Sequence, residues 1–225
     1  MPTESIRFAA PRGGELAARL DTPAESPRAC AVFAHCFTCS KDSKAAAYVS
    51  KALAEHGIAT LRFDFSGLEF TSNVEDLVAA AGWLRDNRAA PRILVGHSLG
   101  GAAVLAAAGS IPEARAVATI GAPFEPSHVT HVVENSAMAV SERFLEDLKG
   151  QKPAETIGAL RKALLVFHSP QDTIVEIDNA AKIFMAAKHP KSFVSLDRAD
   201  HLLTGREDAQ YAATVLAAWA SRYLD

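Results

Sequence analysis

Short apolar segments rich in β-branched residues alternate along the chain with longer segments of helical period. The short apolar segments are typical of buried strands, and apolar positions spaced three and four apart are typical of helices packed on one face. Alternation of the two predicts a doubly wound, mostly parallel sheet with helices on both faces, an α/β fold. The predicted strands are residues 5–8, 16–21, 29–35, 58–65, 92–96, 116–120, 163–168 and 192–196.

The first two predicted strands flank Gly13 and Gly14. A glycine-containing turn between two short strands is typical of an antiparallel hairpin, so we expect a hairpin at the start of the sheet. Between the later strands, the pattern predicts helices over 42–56, 179–187 and the C-terminal segment. Ser72 and Glu75 form a capping box that predicts the start of another helix. We therefore expect a single domain over residues 1–225, with residues 123–158 as a short lid-like insertion.

Composition excludes several classes of protein. The chain has 225 residues, of which 49% are hydrophobic and 22% charged, as in a soluble globular domain. Its formal net charge of −3 gives no basic surface for nucleic acid or an anionic membrane. No apolar run approaches the roughly 20 residues of a membrane span, and the first residues lack the pattern of a secretory signal. The sequence therefore predicts a cytoplasmic protein that is a monomer or a small homo-oligomer.

Three cysteines are present, Cys30, Cys36 and Cys39. An odd number in a chain large enough to bury a core predicts reduced thiols rather than a disulfide framework. Cys36 and Cys39 nevertheless form a Cys-x-x-Cys pair, which near a strand-helix-strand pattern is also found in thiol redox proteins. No second cysteine pair is available to complete a zinc site, so we assign no metal ligands.

The motif with the most specific chemistry is the Gly-His-Ser-Leu-Gly at residues 96–100, between a predicted strand and a predicted helix. A Gly-x-Ser-x-Gly in that position holds the serine on a sharp turn with its hydroxyl exposed at the carboxyl edge of the sheet. Ser98 is therefore the candidate nucleophile. The alternative is an ordinary glycine-rich turn between a strand and a helix.

A nucleophilic serine needs a base and an acid that orients the base, which in this architecture follow it in the order Ser, Asp or Glu, His. Asp172 lies just past one late strand, and His201 lies just past the last one. Both loops open at the same sheet edge as Ser98, which makes His201 the candidate base and Asp172 its partner. We expect His97 to be a packed, hydrogen-bonded residue rather than the base. Nearby competitors for the acid are Asp178, Asp197 and Asp200.

Acyl transfer also needs hydrogen-bond donors for the oxyanion of the tetrahedral intermediate. The backbone N–H of Leu99, at the start of the helix after Ser98, is the first candidate. The loop after the strand ending near Ala34 supplies a second donor in this architecture, and the N–H of Phe37 is our candidate there.

The motifs together resemble the α/β-hydrolase family, and more narrowly the hydrolase portion of bifunctional proteins in which such a domain precedes an OsmC-like domain. The resemblance implies an esterase-like activity that uses the same three residues, and it covers nearly the whole chain. The stretches that carry it are residues 35–42, 62–68, 72–77, 96–101, 168–172, 189–193 and 199–203.

The sequence departs from that resemblance in three places. We expect no OsmC-like domain after Asp225, so the thiol-dependent peroxidase activity of that domain is not carried over. The stretch 68–71 is shorter than the glycine-rich loop expected there, and residues 135–142 also look abbreviated. Both stretches are expected near the mouth of the site. Their shortness indicates either a more open pocket or residues missing from the sequence.

These observations predict a serine hydrolase that cleaves a small carboxylic ester without a cofactor through an acyl-enzyme on Ser98. The expected partner is a small-molecule ester, with neither nucleic acid nor membrane. A hypothesis from another class stays open: a thiol redox or binding module that uses Cys36 and Cys39 and keeps the hydrolase fold without its activity.

Overall fold

A computed structural model describes residues 1–36, 39–128 and 142–224 of the chain. The described residues form one eight-stranded sheet in the order β1-β2-β4-β3-β5-β6-β7-β8. The strands are β1 (Thr3–Ala9), β2 (Glu15–Asp21), β3 (Ala29–Ala34), β4 (Ile58–Phe63), β5 (Pro91–His97), β6 (Ala116–Ile120), β7 (Ala163–His168) and β8 (Lys191–Ser195).

One strand, β2, runs opposite to the other seven strands of the sheet. β1 pairs with β2 and β2 with β4 in antiparallel registers, whereas β4, β3, β5, β6, β7 and β8 run parallel to one another. The predicted mostly parallel α/β sheet with an antiparallel N-terminal hairpin is therefore confirmed. The carboxyl ends of the parallel strands share one edge, so the loops that follow β3, β5, β6 and β7 meet there.

Helices cover both faces of the sheet. Alternate residues of each strand point to opposite faces, so Val32 packs with Leu77 and Val104 on one side, and Phe33 packs with Val49 and Leu216 on the other. The helices are α1 (Lys44–Glu55), α2 (Phe70–Asn87), α3 (Leu99–Ala107), α4 (Glu142–Lys149), α5 (Pro153–Gly158), α6 (Asp178–Ala186) and α7 (Arg206–Ala220).

The predicted capping box at the start of α2 is wrong. The helix begins at Phe70, two residues before Ser72, and the Ser72 hydroxyl donates to the backbone carbonyl of Glu69. The carboxylate of Asp147, in α4, accepts hydrogen bonds from the backbone N–H of Thr71 at 2.9 Å and from the Thr71 hydroxyl. A carboxylate from another element therefore satisfies the first turn of α2, where the helix dipole favours negative charge.

Residues 123–158 contain a short 3-10 turn at Pro126–His128 and the helices α4 and α5. Residues 129–141, which include most of the stretch 135–142, lie outside the described residues. Leu148 of α4 is buried in the same core cluster as residues of α2 and α3. The lid-like role of 123–158 and the single domain over 1–225 stay predictions.

Within the described ranges, no helix is long and apolar enough to cross a membrane.

Candidate active site

The turn between β5 and α3 holds Ser98 in a backbone conformation that few residues other than glycine adopt. Its φ is 54° and its ψ is −126°. The Ser98 N–H donates to the carbonyl of Ile120 at 2.9 Å, and the Ser98 carbonyl accepts from the N–H of Gly101 at 2.8 Å. These bonds fix the strained turn from both sides, and such strain is concentrated at functional sites.

Two glycines let the turn pack tightly. A Cβ at Gly96 would overlap the carbonyl of Gly100, and a Cβ at Gly100 would overlap the carbonyl oxygens of Ala34 and His35 at the end of β3. Any larger residue would force the helix away from the sheet. The spacing of glycines around Ser98 therefore follows from close backbone approach.

Ser98, His201 and Asp172 lie in one hydrogen-bonded chain. The Nε2 of His201 is 3.0 Å from the Oγ of Ser98, and its Nδ1 is 2.7 Å from the Oδ2 of Asp172. A carboxylate can only accept, so Nδ1 carries the proton and Nε2 accepts from the serine hydroxyl. The three predicted residues are thus brought together from the loops after β5, β7 and β8.

The carboxylate of Asp172 is held in its charged form. Its Oδ1 accepts from the backbone N–H groups of Ile174 and Val175, both at 2.9 Å. Burial acts to raise the pKa of Asp172, but the hydrogen bond from His201 and the backbone donors outweigh it, and the pKa lies below its usual value. Asp172 therefore presents a negative charge to His201.

The competing carboxylates lie elsewhere. Asp178 starts α6 and is exposed, and Asp197 is exposed on the loop after β8. Asp200 accepts hydrogen bonds from the backbone N–H and the hydroxyl of Thr204. Of these residues and Asp172, Asp172 is the one bonded to the ring of His201.

Two further histidines lie beside this chain. The Nε2 of His97 is 2.6 Å from the backbone carbonyl of His201, and the Nε2 of His168 is 2.7 Å from the carbonyl of Val175. Both side chains are buried. Burial, reinforced by the neighbouring His201, lowers the pKa of His97 to about 4, and burial likewise lowers the pKa of His168. Both rings are therefore neutral near pH 7.

Gly121, which directly follows β6, is a site residue that the sequence analysis missed. Its φ is 55°, and a Cβ on it would lie 3.2 Å from Asp172 Oδ2 and 3.5 Å from His201 Nδ1. The signal was a lone glycine at the carboxyl end of a buried strand, where the loops of the site meet. A side chain at this position would press on the hydrogen bond between His201 and Asp172.

Of the two candidate oxyanion donors, the structure describes Leu99 but not Phe37. Leu99 is the first residue of α3 and directly follows Ser98, so its N–H lies at the positive end of the helix. Phe37 lies outside the described residues. The N–H and ammonium groups of Lys41, downstream on the same loop, both donate to the carboxylate of Asp64, which anchors the loop to the end of β4.

The expectation that the thiols are reduced is wrong for one pair. The sulfurs of Cys36 and Cys39 are joined in a disulfide, with the two Cα atoms 5.3 Å apart. The N–H of Cys39 donates to the carbonyl of Cys36, and this turn brings both side chains to bonding distance. Counting cysteines along the chain does not reveal such a local turn. Cys30 is a buried free thiol, and the described residues contain no cluster of groups that could hold a metal ion.

A mostly apolar cleft lies along α3, beyond Ser98. Ala102 and Ala106 line it from α3, one and two helical turns from the serine, or roughly 6 and 12 Å along the helix axis. Phe70 of α2, Phe124 after β6 and Ile157 of α5 close its other sides. The cleft is shallow and its walls are mostly hydrophobic.

Comparisons with known proteins agree with the fold. Residues 31–148 match the sequence profile of a family described as the alpha/beta hydrolase family. The chain is 48% identical to a crystal structure described as the esterase domain of a Rhodothermus marinus protein, with each chain covered in full and a TM-score of 0.87. No curated protein matches the chain in sequence.

More distant structures share the fold. XC6422 from Xanthomonas campestris, described as an a/b serine hydrolase without lid, is 20% identical, with a TM-score of 0.72 over 96% of this chain and 94% of that one. Est1E from Butyrivibrio proteoclasticus is 16% identical, with a TM-score of 0.81 over 97% and 98% of the two chains.

Proposed function

We propose that this chain, which belongs to the alpha/beta hydrolase family, hydrolyses small carboxylic esters. The reaction proceeds through an acyl-enzyme on Ser98. The observation that carries the proposal is the hydrogen-bonded chain from Ser98 through His201 to Asp172, on a strained turn at the carboxyl edge of the sheet. The relationship to an esterase domain supports the same reaction class.

The first half of the reaction follows from the protonation states. The Nε2 of His201 takes the proton of the Ser98 hydroxyl as Oγ bonds to the ester carbonyl carbon. The carbonyl oxygen becomes an oxyanion, which the N–H of Leu99 and, in our proposal, that of Phe37 stabilise. When the bond between the carbonyl carbon and the alcohol oxygen breaks, His201 returns its proton to the departing alcohol.

The second half repeats the same steps with water. His201 takes a proton from a water molecule as the water oxygen bonds to the acyl carbon. Collapse of the intermediate breaks the bond to Ser98 Oγ, which recovers its proton from His201, and the carboxylic acid is released. Asp172 keeps its negative charge throughout and stabilises the imidazolium that forms twice in each cycle. The chemistry requires no cofactor.

The apolar cleft supports a substrate with a small hydrophobic group. Its alanines allow room beside α3, and most of its lining is apolar, with Gln151, Lys152 and Thr156 as its polar residues. We propose compact esters as the substrate class. The finer resemblance to the hydrolase portion of proteins with an OsmC-like domain stays a prediction.

Hydrolysis of p-nitrophenyl esters of increasing acyl length tests the proposal. We expect the wild type to turn over the short members of the series and Ser98→Ala to lose nearly all of this activity. Ser110→Ala, at an exposed position beyond α3, is the matched control and should retain it. No turnover by the wild type, or equal turnover by Ser98→Ala, would contradict the proposal.

The disulfide between Cys36 and Cys39 favours the second candidate function, a thiol redox or binding module. A redox protein would accelerate the reduction of insulin by dithiothreitol over the rate with dithiothreitol alone, and the double variant Cys36→Ser/Cys39→Ser would not. If the variant lacks that activity while the wild type has it, redox chemistry belongs to the protein. If neither protein accelerates the reduction, the disulfide is structural.

A further inference from the structure

His97 and His168 occupy equivalent places under two of the loops of the site. His97 is the last residue of β5, and His168 is the last residue of β7. Each ring contacts a backbone carbonyl of the loop that bears one member of the hydrogen-bonded chain. His97 meets the carbonyl of His201 itself, and His168 meets the carbonyl of Val175.

The direction of both hydrogen bonds is fixed. A carbonyl oxygen can only accept, so Nε2 is the protonated nitrogen in each ring. The Nδ1 atoms of both rings are buried and find no hydrogen-bond partner among the described residues. A neutral ring with its single N–H aimed at a loop carbonyl fits both positions. A positive charge would not, because burial lowers the pKa of both rings more than the nearby Asp172 carboxylate raises it.

Each of the two hydrogen bonds restrains a backbone group that is next to a reacting side chain or bonded to it. The His97 ring centre lies 5.4 Å from that of His201 and holds the carbonyl of the same residue, which limits rotation of the His201 backbone. The carbonyl of Val175 belongs to the residue whose N–H donates to Asp172 Oδ1. Fixing Val175 therefore fixes a donor that orients the carboxylate.

We infer that His97 and His168 are positioning residues that hold the base and the acid of the site by clamping the loops on which they lie. His97 sets the position of the His201 ring relative to Ser98, and His168 sets the orientation of the Asp172 carboxylate. The inference rests on the proposed function, since it assigns these histidines a role in the reaction of Ser98. A misplacement of about 1 Å in such an arrangement can cost on the order of a hundredfold in rate.

Paired substitutions separate the hydrogen bond from ring packing. His97→Phe keeps a ring and removes the donor, whereas His97→Gln keeps a donor with about the same reach as Nε2. We expect His97→Phe to lower kcat by about tenfold to a hundredfold with little change in KM, and His97→Gln to recover most of that loss. His168→Phe and His168→Gln should behave in the same way.

The number of competent sites must be measured along with the rate. Titration with a phosphonate ester that reacts once with the nucleophile gives the fraction of folded, reactive enzyme, and kcat is then expressed for each reactive site. A residue with only a structural role lowers that fraction and leaves the corrected kcat unchanged. If His97→Phe does not fold, His97→Asn replaces it, because its shorter amide cannot reach the His201 carbonyl.

His56→Phe and His56→Gln are the matched controls. His56 bonds Thr214 between α1 and α7, away from the site, and its variants should keep the wild-type corrected kcat. Equal corrected kcat for the Phe and Gln variants of both His97 and His168 would overturn the inference. That result leaves the proposed function intact as long as Ser98→Ala is inactive, so the two failures are distinguishable.

Discussion

Gly121 lies directly against the carboxylate of Asp172, so close that a Cβ on the glycine would stand 3.2 Å from Oδ2. The same Oδ2 accepts the 2.7 Å hydrogen bond from His201. The bare backbone of the residue after β6 is therefore one wall of the site. This explains a glycine there without any role in the chemistry.

Gly121→Ala is expected to reduce both stability and turnover. The alanine would carry a positive φ, and its methyl group would push on the bond between Asp172 and His201. Gly14→Ala is the control, because Gly14 has a φ of 79° with nothing within 4 Å of a Cβ. Both variants should have a lower Tm, and kcat should fall, by about tenfold, in Gly121→Ala alone. An unchanged kcat in Gly121→Ala would show that the contact does not matter for the site.

Asp172→Asn removes the negative charge while keeping the shape of the side chain. The amide can donate to His201 Nδ1, which favours the tautomer in which Nε2 carries the proton and cannot accept from Ser98. We expect kcat for a short p-nitrophenyl ester to fall by about 10³- to 10⁴-fold. Asp200→Asn, one residue before His201, is the control and should stay within about threefold of the wild type. A small loss in Asp172→Asn would reassign the acid.

His97 should make the protein less stable in acid. Its pKa is lowered from 6.5 to about 4 in the folded protein, so between these pH values the unfolded chain binds a proton that the folded chain does not. Stability is therefore lost as the pH falls through this window, by about 3 kcal/mol from His97. The free energy of unfolding of His97→Gln, measured in urea, should fall less steeply from pH 6.5 to 4. Parallel curves for the two proteins would contradict this account.

Asp147 caps α2 from outside that helix. Removing its carboxylate in Asp147→Ala leaves the Thr71 N–H without this partner, which should cost about 1 kcal/mol of unfolding free energy. Glu146→Ala, at the exposed neighbouring position, should cost much less. Equal losses in the two variants, by urea denaturation, would show that the capping bond does not contribute.

Central strands such as β6 and β7 could be predicted from the sequence because each is a short apolar run. The predicted bounds of β6 and β7 agree with the structure at both ends, and the chain order of Ser98, Asp172 and His201 indicated which loops would meet. The start of α2 could not be predicted. Its capping carboxylate comes from Asp147, 76 positions after Thr71, and such a contact leaves no trace in a local pattern.

The contacts of the residues that support the site could not be predicted either, because they depend on the folded structure. His97 was expected to be packed and hydrogen-bonded, but its partner, the carbonyl of His201, lies 104 positions away. Gly121 differs from an ordinary turn glycine only through its contact with Asp172. The disulfide between Cys36 and Cys39 depends on a turn rather than on composition.

The central claim is that Ser98 becomes acylated, and trapping the intermediate tests it most directly. The protein is mixed with a p-nitrophenyl ester, quenched in acid within the first turnovers, digested and analysed by mass spectrometry. The account predicts an acyl group on the peptide containing Ser98, an initial burst of p-nitrophenol equal to the enzyme concentration where deacylation is slow, and neither in Ser98→Ala. An acyl group on a different residue, or turnover with no acylated peptide, would contradict it.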